Sequence, residues 1–146
     1  MKIFFVAILS AALPTFAASD TVVIDPWARA SILASRPGAA YLTMHSDNGD
    51  RLIAIESQAA GHIMLHSTET DANGVSRMMH IEQLDLPPGQ PVLLAPGGKH
   101  LMLMNLGAKL EEGSSFALTL RFETAGDITV DVPVLAATAT GLEGAE

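Results

Sequence analysis

Ser115-Phe116-Ala117-Leu118-Thr119-Leu120-Arg121-Phe122 alternates large apolar side chains with small or polar ones almost without a break. Successive side chains of a strand point to opposite faces, so Phe116, Leu118, Leu120 and Phe122 share one side. Burying four such groups contributes roughly 1.5–3 kcal/mol each before chain entropy is subtracted. A half-buried strand is the structure that uses this pattern. After Ala125-Gly126-Asp127, whose residues favour a turn, a second run follows at Asp127–Pro133.

The same grammar extends upstream. Short apolar or alternating runs lie at Thr21–Asp25, Ala39–Ser46, Arg51–Ser57, Gly61–Ser67, Ser76–Glu82, Pro91–Ala95 and His100–Leu106. Between them lie Asp47-Asn48-Gly49-Asp50, Asp71-Ala72-Asn73-Gly74, Pro87-Pro88-Gly89 and Pro96-Gly97-Gly98, all turn chemistry. About nine short strands at this spacing predict an all-β sandwich or barrel. Leu106–Glu112 is the one stretch that offers a short helical turn. No second domain boundary or internal repeat interrupts Thr21–Val134. The tail beyond residue 136 is small and polar and is expected to be flexible.

Composition narrows the function. Of 146 residues, 49% are hydrophobic and 16% charged, and 8 Lys+Arg against 16 Asp+Glu leave a net charge of −8. An acidic chain without basic clusters is a poor partner for nucleic acid or an anionic membrane. There is no cysteine, which removes disulfides, thiolate nucleophiles, thiolate zinc sites and thiolate-ligated blue copper. Seven methionines leave thioether as the only soft donor.

Residues 1–17 read as an export signal. Lys2 precedes an apolar stretch from Ile3 to Leu13, and Pro14-Thr15-Phe16-Ala17-Ala18 supplies small residues for cleavage after Ala17. The stretch is short for a membrane span, which needs about 20 apolar residues. The expected mature chain is therefore a domain over residues 18–136 with a tail over 137–146, located in the periplasm and not inserted in the membrane.

Chemistry concentrates where histidine and methionine coincide. In Lys99-His100-Leu101-Met102-Leu103-Met104, the period of two puts His100, Met102 and Met104 opposite Leu101 and Leu103. With the leucines in the core, His100 and Met102 face outward, while Met104 reads as core filler. His62, Met64 and His66 share a face in the same way, as do Met78 and His80, with Met79 on the other side. His45 reads as an ordinary strand histidine. Catalytic signatures are missing: no Gly-x-Ser-x-Gly elbow, no HExxH, no P-loop and no dinucleotide glycine motif occurs. The chain is not expected to be an enzyme, and a hydrolase with a histidine base is a remote alternative. Neutral imidazole and thioether donors instead suit Cu(I), because the site keeps a charge of only +1 and thioether is a poor ligand for hard cations.

The spacing of these residues resembles the periplasmic copper chaperones of the PCu(A)C family. His66 is followed by eleven residues to Met78, then twenty-one to His100, then Leu101 and Met102. Flanking stretches also resemble the family: Asp25-Pro26-Trp27-Ala28-Arg29-Ala30, Gly38-Ala39-Ala40-Tyr41, Gly74-Val75, Leu94-Ala95-Pro96-Gly97-Gly98 and Phe122–Val130. The resemblance implies a cupredoxin-like Greek-key β-barrel or sandwich with a surface Cu(I) site formed by His66, Met78, His100 and Met102. Met79 is the alternative to Met78. It further implies delivery of copper to the CuA centre of cytochrome c oxidase subunit II, with or without a thiol-bearing assembly factor. Ser67 and Thr68 stand where many relatives have Met, and the tail lacks His and Met, so a second, tail-based copper site is not expected. Two other readings stay open: a metal-free secreted β-sandwich binding module, and a general periplasmic copper buffering or resistance protein.

Overall fold

The computed structural model describes residues 20–142; the expected export segment and the last four residues lie outside the described residues. The strands are β1 (Thr21–Arg29), β2 (Gly38–Ser46), β3 (Asp50–Glu56), β4 (Ala60–Thr70), β5 (Ser76–Ile81), β6 (Leu84–Leu86), β7 (Val92–Leu93), β8 (Lys99–Leu106), β9 (Ser115–Phe122) and β10 (Gly126–Leu135). Hydrogen bonds link them in the order β5-β4-β8-β2-β1-β10-β9-β3-β6, with β7 added on β2. The order is non-sequential, as Greek-key connections require.

The two halves of this path face each other across one core. Ile63, Leu65, Leu101 and Leu103 come from β4 and β8, and Leu118, Leu120, Phe122, Val132 and Val134 from β9 and β10. β9 and β10 form the hairpin that their alternation predicts, with Leu118 opposite Val130 and Leu120 opposite Ile128. Gly126 starts β10 at φ 74°, a conformation that glycine adopts without steric cost.

β1 joins the halves. Its register against β2 shifts between Ile24 and Trp27, where Asp25 takes φ 52°. Beyond this bulge Ala28 and Arg29 pair in parallel with Val134 and Leu135 of β10. The two flanking motifs from the start of the domain meet here. Trp27 lies opposite Tyr41 with ring centroids 4.5 Å apart, and the Arg29 guanidinium stands 5.7 Å over the Tyr41 ring. Burial raises the Tyr41 pKa, and the Arg29 charge opposes that rise. Arg29 Nε also donates to the carbonyl of Ala139 at 2.8 Å.

Two local expectations change. Leu106–Glu112 forms no helix: Leu110 is buried, and its N–H donates to Ser31 Oγ at 2.7 Å while its carbonyl accepts from Ser31 N–H at 2.9 Å. Those bonds replace the helical ladder. A tenth strand, β6, is present because Leu84 and Leu86 bury their side chains beside β3. Three residues followed at once by Pro87 are too few for their periodicity to stand out.

Asp50 ties three elements together. Its carboxylate accepts from Thr21 Oγ1 (2.7 Å), Thr124 N–H (2.9 Å), Ala125 N–H (3.0 Å) and Arg51 N–H (2.8 Å). Desolvation pushes its pKa up, but the four donors outweigh it, so the net shift is downward. A depressed carboxylate contributes stability above its unfolded pKa that disappears as pH falls through the folded value. Asp50→Ala is expected to cost about 2 kcal/mol, since it strands several donors. Urea unfolding at neutral pH checks this, and the difference from wild type should shrink in acid.

Candidate metal centre

The chemistry-bearing residues sit on β5, β4 and β8, three neighbours at one end of the path. In an antiparallel pair, directly opposed residues share a face. β4 sets His66 opposite His80 of β5 and opposite His100 of β8. Three imidazoles therefore form one row across three strands. The His66 ring lies 5.6 Å from that of His80 and 5.8 Å from that of His100, centroid to centroid, both edge-on.

Thioethers flank this row. Met102, two residues beyond His100, lies opposite Met64, and Met78, two residues before His80, lies opposite Thr68. His66, Met78, His100 and Met102 thus occupy one face of three adjacent strands. Met79 lies opposite Ser67, on the other face. The inner face is taken by Leu65, Leu101, Ile63 and Leu103, all buried. Met104 departs from its expected core role. It is half-buried on the outer face, opposite His62, because two-residue alternation from His100 leads there and Leu103 already fills the inner position. His45 stands on β2 opposite Val22, with Nε2 3.7 Å from Asp47.

The approach to His100 is a tight turn. Gly97 takes φ 85°, and Gly98 N–H closes on the Ala95 carbonyl at 3.0 Å. The Gly98 carbonyl accepts from Thr68 N–H at 3.2 Å, which fastens the turn to β4. His100 Nδ1 lies 3.1 Å from the same carbonyl. A carbonyl only accepts, so Nδ1 carries the proton and Nε2 keeps its lone pair for a ligand.

His66 differs from its neighbours. It is 8% exposed, and its Nδ1 is buried without a hydrogen-bond partner. A buried nitrogen without a partner is costly unless something else satisfies it, and a metal ion would do so. Burial lowers the pKa of His66 first, and the neighbouring His100 and His80 imidazoles lower it further. The ring is thereby kept neutral, the form that binds metal. A histidine with a depressed folded pKa costs stability as pH falls below about 6.5, because the unfolded chain takes the proton first. Thermal melts of the metal-free protein should therefore fall below that pH, and His66→Asn should flatten the slope.

Among the described residues no three His, Asp or Glu side chains are arranged to hold a metal by themselves. A metal held on this face would need methionine sulfur among its ligands. His80 is the neighbour that sequence spacing did not single out; its signal was the Met78-x-His80 alternation, but only the β4–β5 register puts it beside His66.

A family model described as "Putative lipoprotein LpqE-like" matches residues 21–134. The chain belongs to the LpqE-like family. Relatives include Lxx21020 of Leifsonia xyli subsp. xyli, also named as a lipoprotein, 40% identical over 57% of this chain and 50% of that protein. RP573 of Rickettsia prowazekii is 30% identical over 76% of this chain and 64% of that protein. This LpqE-like chain thus spans about half to two thirds of the curated relatives it matches. Solved structures of similar fold include the apo PmoF2 PCuAC domain, with TM-score 0.70, 28% identity, and 86% and 97% of the two chains covered. The copper-bound PCuAC domain from PmoF2 gives 0.66 at 28% identity, covering 83% and 97%. The Cu(I) form of DR1885 from Deinococcus radiodurans gives 0.60 at 27% identity, covering 77% and 78%. The LpqE-like chain has the cupredoxin-like β-sandwich of these PCuAC domains.

Proposed function

We propose that this protein is an exported, periplasmic Cu(I) carrier, not an enzyme. Its cargo is held by His66, Met78, His100 and Met102 and is delivered for assembly of the CuA centre of cytochrome c oxidase. The observation that carries the reading is the convergence of two imidazoles and two thioethers on one face of β5, β4 and β8, with a buried, unpartnered nitrogen among them. Similarity to copper-bound and Cu(I)-bound PCuAC structures supports it. The lipoprotein names of the family and of a relative support export.

Four neutral donors leave Cu(I) with its single charge and penalise Cu(II), which would keep two. The ligands also differ in access. His66 is 8% exposed and Met78 is 55% exposed, so the first is an anchor and the second a gate. A partner's ligand replaces Met78 first, and the buried imidazole lets go last. A thiol-bearing assembly factor or subunit II of the oxidase would offer an anionic thiolate against a neutral thioether, which drives the ion forward without a redox step.

The decisive experiment is X-ray absorption on the Cu(I)-loaded protein together with competition against a chromophoric Cu(I) chelator. The expected result is mixed nitrogen and sulfur neighbours and a tight complex. No copper bound above background would end the reading in favour of a metal-free binding module.

A further inference from the structure

The donors left over from the four-ligand set stand in line with it. Along β4 and β8, His66 faces His100, Met64 faces Met102, and His62 faces Met104. Three alternate rungs of one ladder, all on the same face, therefore carry an imidazole or a thioether on both strands. The rungs between them, Leu65–Leu101 and Ile63–Leu103, turn inward and are buried. The core is filled without Met64 and Met104, which are half-buried, and His62 is exposed.

We propose that His62, Met64 and Met104 form a second Cu(I) position beside the first. The inference rests on the copper reading of the neighbouring site. One imidazole and two thioethers are neutral, soft donors that suit a monovalent soft cation, Cu(I) or Ag(I), and serve hard divalent ions poorly. The His66–His100 and His62–Met104 rungs lie four residues apart on each strand, about 13 Å. Two cations at that distance still repel each other, and the second set has only three donors with His62 exposed, so the second ion binds more weakly, on the order of tenfold. Met64 and Met102 lie between the two positions. A single ion can pass from one to the other by exchanging one thioether at a time, with copper remaining monovalent throughout.

Anaerobic titration of the protein with Cu(I) against a chromophoric chelator tests this, with Ag(I) followed through the methionine methyl NMR signals. Wild type should take two equivalents, the second more weakly. The double variant His62→Asn, Met104→Leu should take one, at unchanged strong affinity. Exposure of His62 and the similar volume of leucine keep that variant folded, which circular dichroism verifies. The double variant His66→Asn, His100→Asn should retain only a weak equivalent. Saturation of wild type at one equivalent, or two equivalents in the His62→Asn, Met104→Leu variant, overturns the second position. If that single equivalent vanishes in His100→Ala, the carrier reading survives alone. If wild type binds none, both fall.

Discussion

His100→Ala is expected to lower Cu(I) affinity by more than two orders of magnitude while leaving the unfolding midpoint nearly unchanged. Loss of an outer-shell partner of a metal ligand already costs about 10–100-fold, and His100 is proposed as a direct ligand. Its imidazole is half-buried on the outer face, with Nδ1 held by the Gly98 carbonyl and Nε2 free. Removing it leaves the core intact, and outer-face substitutions usually stay within about 0.5 kcal/mol. Chelator competition and urea unfolding on the same sample measure the two effects separately. Affinity within a fewfold of wild type would remove His100 from the ligand set.

Leu101→Ala should do the reverse. Leu101 is fully buried between the halves of the sandwich, one residue along but on the opposite face. Truncating a buried leucine costs about 2–5 kcal/mol, because the transfer term is lost and a cavity remains. The urea midpoint should fall accordingly, while protein that is still folded retains most of its copper affinity. Met102→Leu supplies the contrast. Its side chain is half-buried, and the swap conserves volume, so stability changes by less than about 1.5 kcal/mol while the thioether disappears. If Met102→Leu proved as destabilising as Leu101→Ala, Met102 would be core filler. Loss of binding in Met102→Leu but not in Leu101→Ala would separate ligand from scaffold on a single strand.

Much of this was legible in the chain because β structure is periodic. Alternation in Phe116–Phe122 and Lys99–Met104 assigns each side chain to a face before any partner is known, and the absence of cysteine limits soft donors to methionine. The inward leucines of β8 and the outward His100 and Met102 follow from that rule alone. Met104 is the exception to reading by side-chain type: its apolar thioether suits a core, yet the period shared with His100 and Met102 turns it to the outer face.

What lay beyond the sequence is everything that depends on pairing between distant segments. The β4–β5 register sets His80 opposite His66, and the β4–β8 register sets His62 opposite Met104; a slip of one residue would reverse both faces. His66 is likewise buried where His80 and His100 flank it edge-on from the neighbouring strands. Local periodicity determines which way a side chain points, and the long-range packing of β5, β4 and β8 decides what it meets there.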